Sequence, residues 1–247
     1  MKTILITGAS RGIGAATALL AAYQGYAVSV NYNRNRSAAE AVVEQITGNG
    51  GRAIAIQADV TQEADILRLF IETERQLGSL YALVNNAGIL EQQMRLEHLT
   101  VERMDRIVKA NLIGPMCCAR EAVKRMSTKY GGPGGVIVNV SSIAAKSGSP
   151  NEYIDYAATK GALDTFTVGL SKEVAAEGIR VNAVRPALIY TDIHADGGEA
   201  GRVDRIKDRI PMKRGGYPTE VAEAILWLVS EKSSYTTGSF IDVSGGG

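Results

Sequence analysis

Short apolar runs rich in β-branched residues recur along the chain: Thr3-Ile-Leu-Ile-Thr7, Ala27-Val-Ser-Val-Asn31, Arg52-Ala-Ile-Ala-Ile-Gln57, Leu80-Tyr-Ala-Leu-Val-Asn85, Val136-Ile-Val-Asn-Val140, Ile179-Arg-Val-Asn-Ala-Val184 and Ser239-Phe-Ile-Asp-Val243. They are continuous rather than alternating, which marks strands buried on both faces, as in a parallel sheet covered by helices. Helical stretches separate them, first from Ala15 to Tyr23 and then over about residues 37–49, 62–77, 100–128, 155–177 and 218–230, each bounded by breakers. Thr61 and Thr219 occupy N-cap positions, with Glu63 and Glu220 placing negative charge in the first turn. Strand and helix in strict alternation predict an α/β, single-domain Rossmann fold over residues 1–247, a doubly wound parallel sheet with helices on both faces. Residues 190–216 break the pattern, being polar, glycine-containing and weakly periodic, and are read as a substrate lid, with His194 on its surface.

Composition narrows the classes of partner. At 247 residues and 45% hydrophobic the chain can bury the core of one domain. A net charge of +1 supplies no field toward nucleic acid or an anionic membrane, and neither is expected as a partner. Cys117 and Cys118 are adjacent, too differently directed on a helix for an unstrained disulfide, and His98 and His194 lack ligand spacing, so no metal site is expected. The apolar stretch before Thr7 is too short for a signal peptide, and no apolar run reaches the ~20 residues of a membrane span. The expectation is a soluble cytoplasmic protein in a reducing compartment.

Chemistry enters at two ends. Gly8-Ala-Ser-Arg-Gly12-Ile-Gly14 follows the first strand and opens a helix, which is the context a glycine fingerprint requires. Glycines there allow a tight turn and close approach of backbone N–H groups to a pyrophosphate at the positive end of the helix dipole. Farther on, Tyr156 and Lys160 are spaced i,i+4, which stacks a phenol and an ammonium on one helix face. A phenol with an ordinary pKa of about 10 is a poor proton carrier at neutral pH, and a nearby cation lowers that value toward the working range. Ser141 and Ser142 could hold the reacting oxygen. The glycine turn, Asp59, Asn85 to Gly88, Ser141-Ser142 and Pro186 all fall just after predicted strands, where open α/β sheets bind their ligands, and so point to one cleft.

Together these residues resemble the short-chain dehydrogenase/reductase family over essentially the whole chain. Thr7 to Gly14 looks like its cofactor turn, Asn85-Asn-Ala-Gly88 its sheet-stabilising motif, Tyr156-x-x-x-Lys160 its active site and Pro186 to Thr191 its nicotinamide-side loop. The subgroup resembled is that of bacterial glucose dehydrogenase-like and 3-oxoacyl-acyl-carrier-protein reductase-like enzymes. The resemblance implies that Tyr156 is the general acid/base, that Ser142 rather than Ser141 holds the substrate oxygen, and that Lys160 lowers the phenol pKa and binds the nicotinamide ribose. It also implies that Asn111 opens a helix to hold a proton-relay water and that Thr191 binds the carboxamide. The cofactor set comprises Gly8, Ser10, Arg11, Gly12, Ile13, Gly14, Asn31, Tyr32, Arg34, Asp59, Val60, Asn86, Ala87, Gly88, Tyr156, Lys160, Pro186, Ile189 and Thr191. A homotetramer is implied too, through the long helices that carry Ala110, Ala119, Ala162 and Leu163.

Two positions depart from the family pattern. Ala187 stands where a glycine usually follows the loop proline, and fourteen residues separate Ser142 from Tyr156, about one more than usual. Cofactor choice is read from charge: the second strand ends at Asn31-Tyr32 without a carboxylate, with Arg34 and Arg36 following and Arg11 in the glycine turn, which favours NADP(H) over NAD(H). The function expected is hydride transfer between NADP(H) and a small-molecule carbonyl or secondary alcohol. The alternative is a noncatalytic NAD(P)-binding sensor on the same fold. Retention of Tyr156 and Lys160 beside Ser142 and Asn111 favours the enzyme.

Overall fold

The computed structural model describes residues 1–247. Seven parallel strands form one sheet: β1 (Thr3–Ile6), β2 (Ala27–Tyr32), β3 (Arg52–Gln57), β4 (Leu80–Asn85), β5 (Gly135–Val140), β6 (Ile179–Pro186) and β7 (Phe240–Val243). Their spatial order is β3-β2-β1-β4-β5-β6-β7. The order reverses between β1 and β4, so a crevice opens beyond their carboxyl ends.

Successive side chains of the strands enter opposite cores. Ile4, Ile6, Ala82, Val84, Val136 and Val138 pack on one face beneath α1 (Gly12–Tyr23), α2 (Arg36–Gly48) and α10 (Pro218–Val229). Leu5, Leu83 and Ile137 face the other way, under α3 (Glu63–Leu77), α5 (Gly114–Met126) and α7 (Ile154–Val174). Each fully buried Leu, Ile or Phe, Phe70 among them, contributes about 1.5–3 kcal/mol from burial. The run of alanines in α1 suits it to the layer: Ala18 and Ala21 are fully buried and let the helix sit close to its neighbours.

The cap expectations are corrected. Thr61 spends its N–H and hydroxyl on Asp59 Oδ1, at 2.9 and 2.8 Å, and α3 begins one residue later behind Gln62. Ahead of α10 the N-cap is Tyr217, Pro218 takes the first helical position, and Glu220 Oε2 accepts the Tyr217 N–H at 2.8 Å. The expected charges of Glu63 and Glu220 in the first turns are present.

The segment 100–128 is not one helix. It divides into α4 (Val101–Val108), a π turn over Lys109–Ile113, and α5. Pro115 has no N–H for the carbonyl four residues back, that of Asn111, and this releases the ladder where the wide turn forms. Ala110, Ala119 and Leu163 are buried within the subunit, at 6% exposure or less, so they are not the outward contacts expected of them. The remaining helices are α6 (Ala144–Ser147) after β5, and α8 (Ile193–Asp196) and α9 (Arg202–Ile206) inside the span read as a lid. No helix is long and apolar enough to cross a membrane.

Candidate active site

The carboxyl ends of the strands line one cleft of about 1170 Å³. Gly8 turns the chain out of β1 at φ +62, in the left-handed region, and a Cβ there would lie 2.9 Å from Ala87 Cα. The turn is held by Asn31, whose Oδ1 accepts the Gly8 N–H at 3.1 Å while its amide donates to the carbonyls of Ile56 and Ala58. Asn86 Nδ2 donates to the Thr7 and Gly8 carbonyls at 2.9 Å, and Thr7 Oγ1 accepts from the N–H groups of Asn86 and Ala87. Arg11, the N-cap of α1, places no side-chain acceptor on the first turn, so N–H groups there remain for an anion.

Most of the anticipated cofactor set lines this cleft: Ser10, Arg11, Gly12, Ile13, Tyr32, Arg34, Asp59, Val60, Ala87, Gly88, Pro186, Ile189 and Thr191. Three placements differ from expectation. Gly14 lies off the cleft surface, where a Cβ would meet Asn86 Nδ2 and the Gly8 carbonyl at 2.5 Å, so it serves packing of α1 on the turn. Asn31 is only 1% exposed with its side chain spent on backbone, and so braces the turn rather than reaching a ribose. Arg11 reaches across to α8 and pairs with Asp196 at 2.5 Å, an exposed and therefore weak pair. Arg34 stands exposed at the rim, and Arg36 pairs with Glu40 along α2.

The Tyr156 cluster is assembled from three elements. Tyr156 and Lys160 project from α7, with the ammonium 5.5 Å from the centre of the phenol ring. Lys160 is buried and donates to the Val140 carbonyl at 2.8 Å. Ser142 stands beside the phenol, its hydroxyl accepting the Ala144 N–H at 3.1 Å and lying 3.5 Å from the Pro186 carbonyl, whereas Ser141 is buried and directs its hydroxyl to the Lys160 carbonyl at 3.3 Å. Ser142 is therefore the hydroxyl that the cleft presents. Gly88 closes the floor, since a Cβ on it would lie 3.2 Å from Asn111 Oδ1 and 3.7 Å from Lys160 Nζ. Asn111 sits one layer behind the cleft, fully buried in the π turn, where its amide exchanges hydrogen bonds of 2.8 and 2.9 Å with the Ile89 backbone. It positions the floor and does not touch the cleft directly.

The electrostatics overturn one expectation. Part of the Tyr156 surface opens onto the cleft, yet protein packed around the ring dominates, and burial pushes the phenol up to about 12. Only the Ser142 hydroxyl opposes this; the ammonium of Lys160 does not lower the phenol as the i,i+4 spacing suggested. Burial lowers Lys160 itself to about 8 against an opposing pull from Asp164.

Both departures from the family pattern are absorbed locally. Ala187 keeps a negative φ and gives its N–H to Val243 O at 3.1 Å, so no glycine is needed there. The longer stretch before Tyr156 is taken up by left-handed residues at Ser149 and Asn151, and Arg95 Nη1 donates to Asn151 Oδ1 at 3.2 Å. A buried ion pair missed in the sequence, Arg103 with Asp155 at 2.8 Å, ties α4 to the start of α7. Residues 190–216 are docked on this wall through Arg202 to Glu152 and through Tyr153 Oη to the Gly197 carbonyl at 3.1 Å. His194 is buried, at 8% exposure, and not on the lid surface.

Several known proteins are similar to this chain over nearly its whole length. A family model described as enoyl-(acyl carrier protein) reductase matches residues 8–247. The oxidoreductase YgfF of Escherichia coli is 58% identical over 246 residues, covering 100% of both chains. The 3-oxoacyl-[acyl-carrier-protein] reductase FabG of Staphylococcus epidermidis is 37% identical, covering 99% of this chain and 98% of its own. Among solved structures, a short-chain dehydrogenase/reductase from Serratia marcescens has 31% identity and a TM-score of 0.91, covering 99% of this chain and 97% of its own. A 3-ketoacyl-(acyl-carrier-protein) reductase from Brucella melitensis complexed with NADH has 34% identity and the same TM-score and coverage.

Proposed function

The chain belongs to the short-chain dehydrogenase/reductase family, and from that premise we propose that Tyr156, Ser142 and Lys160 carry its reaction, with Asn111 as a positioning residue. As a member it is an oxidoreductase, a hydride-transfer reductase dependent on a nicotinamide cofactor. The observation that carries the residue assignment is the convergence of the Tyr156 phenol, the Ser142 hydroxyl and the Lys160 ammonium at the end of a cleft whose other end is the glycine turn.

The residues present fit a dinucleotide. The α1 N-terminus and glycine turn would take the pyrophosphate, Asp59 and Val60 the adenine end, and the Pro186–Thr191 loop the carboxamide. When bound, the nicotinamide supplies or accepts the hydride. In reduction, the Ser142 hydroxyl holds the carbonyl oxygen and Tyr156 gives its proton to the alkoxide that forms on the substrate as hydride arrives at carbon. The product is a secondary alcohol, and the reverse reaction takes the alcohol proton back onto the phenolate. Lys160, fixed by the Val140 carbonyl, places its charge beside the ring and the ribose end of the cleft. The experiment that tests this reading is a turnover screen of ketones, sugars, steroids and acyl thioester analogues. Reduction of at least one class supports it, and failure across the panel contradicts it.

We assign the cofactor as NADP(H). The Brucella relative is complexed with NADH, so the choice must be argued from this chain: no carboxylate follows β2, and the Arg34 guanidinium stands unpaired at the rim. Arg34→Glu should cut kcat/KM with NADPH by about 10- to 100-fold, the worth of a lost charge-assisted contact plus repulsion, and leave NADH nearly unaffected. An equal loss with both cofactors would reject the assignment. We also read residues 1–247 as one domain with 190–216 as its substrate lid, working as a homotetramer. Val108, Ile113 and Met116, at 36%, 46% and 40% exposure along α4, the π turn and α5, supply apolar surface for it. Light scattering at the monomer mass would contradict this.

A further inference from the structure

The chain holds seventeen arginines, and fifteen of them give their guanidinium to a carboxylate or a carbonyl oxygen. The two without a partner, Arg34 and Arg209, are both exposed and both line the cleft. They stand at its opposite ends. Arg34 follows β2, on the side of the glycine turn. Arg209 ends a 3₁₀ turn (Lys207–Arg209) behind α9, and that stretch is docked just past β7, the far edge of the sheet, where the Met212 N–H donates to the Gly245 carbonyl at 3.1 Å. Ile206 and Ile210 on either side of it, and Ser244 after β7, share the same wall of the cleft. Ser142, which follows β5 and lies 3.5 Å from the Pro186 carbonyl at the end of β6, stands between the two arginines in the order of the strands, nearer the β7 edge.

Nothing in the protein neutralises Arg209. Four carboxylates line the cleft, and each is engaged elsewhere: Glu91 by Arg106 at 2.9 Å, Asp196 and Asp192 by Arg11 at 2.5 and 4.0 Å, and Asp59 by the two hydrogens of Thr61. Asp208, next to Arg209 in sequence, is not on the cleft wall. The other unpartnered cation of the wall, Lys109, belongs to the π turn that packs on Val60, where a Cβ on Gly114 would lie 2.7 Å from the Val60 carbonyl. A guanidinium is always charged, and its planar fork matches the paired oxygens of a carboxylate or phosphate. One such fork on a wall of isoleucines suits a ligand with an apolar body and an anionic end. We propose that Arg209 binds an anionic oxygen group, a carboxylate or a phosphate, on the substrate, so that this reductase takes carbonyl compounds charged at the end remote from the reacting carbonyl. The proposal rests on the carbonyl-reductase reading above and specifies its substrate class. It explains why the arginines left free by the fold are both in the cleft, one at each end.

The test uses the full-length protein with NADPH and pairs of ketones that differ only in charge. 4-Oxopentanoate and 5-oxohexanoate are each compared with their methyl esters, and dihydroxyacetone phosphate with dihydroxyacetone, in the natural protein, in Arg209→Met and in Arg209→Glu. The natural protein should prefer the charged member of at least one pair by about tenfold or more in kcat/KM, the worth of one charge-assisted contact. The pair that shows the preference tells carboxylate from phosphate. In Arg209→Met the ratio should fall toward parity, with the loss in KM, and in Arg209→Glu it should drop below one. Each ratio is taken within one variant, so a change in the folded fraction cancels. Turnover without preference for a charged ketone overturns the subsite and spares the reductase reading, and a preference that survives in Arg209→Met also overturns the subsite. Calorimetric titration of the protein with NADP+ bound supplies a readout free of turnover: the charged member of a pair should bind about tenfold tighter than its neutral counterpart, and equally in Arg209→Met. That binding difference in a protein that reduces no ketone upholds the subsite and overturns the reductase reading, whereas its absence in such a protein overturns both.

Discussion

Tyr156→Phe should lower kcat for carbonyl reduction by about a thousandfold while leaving cofactor affinity near its natural value. The substitution removes only the phenolic oxygen: the ring keeps its place on α7 and against Lys160, so the loss isolates proton transfer. General acid/base catalysis typically contributes between about 10² and 10⁴ in rate, and the phenol stands in the cleft with Ser142 beside it. Steady-state reduction together with a fluorescence titration of the cofactor checks both halves. A variant within a few-fold of the natural kcat contradicts the assignment.

Ser142→Ala should cost about a hundredfold or more in kcat, comparable to removing one donor from a preorganised oxyanion site. It should also change the pH dependence. Burial raises Tyr156, so the neutral phenol, the form that donates in reduction, prevails through the neutral range, and reduction should be nearly flat there. Oxidation needs the phenolate, whose fraction grows tenfold per pH unit below the pKa. Ser142 is the only group that opposes the upward push. Without it the alkaline limb of oxidation should move to higher pH, and an unmoved limb would separate Ser142 from the phenol. Cofactor binding, measured alongside, should persist because the glycine turn is untouched.

Much of this was legible in the chain. β1, β2, β4, β5 and β6 are buried on both faces and the edge strands β3 and β7 only in part, yet all seven keep short apolar runs that can be read directly along the chain. Gly8 and the residues after each strand are fixed by local geometry, which is why they fell into one cleft as expected. What was missed depends on contacts distant in sequence. The i,i+4 spacing of Tyr156 and Lys160 shows proximity but not burial, and burial decides the phenol's pKa. His194 reads as a surface residue, because nothing in its neighbours shows that residues 190–216 fold inward against Tyr153 and Leu90. Arg103 and Asp155 are separated by 52 residues and so gave no local signal. Pro115 inside an otherwise helical stretch does mark, from sequence, the release of the ladder at Asn111.

The cap errors have the same origin. Thr61 fits an N-cap by residue type, but the Asp59 carboxylate, bound for the cleft, takes its hydroxyl first. At α10 the proline at position 218 and the Glu220 carboxylate set the start, and Thr219 falls inside the helix. Local propensity thus located each helix, while competing hydrogen bonds chose its first residue.

The most direct test of Tyr156 as the proton-transfer group is the pH dependence of kcat/KM for alcohol oxidation, measured in parallel on the natural enzyme and on Tyr156→Phe. The natural enzyme should rise tenfold per pH unit on its alkaline limb, and the variant's residual rate should show no such rise. The same limb surviving in the phenylalanine variant would mean that another group moves the proton.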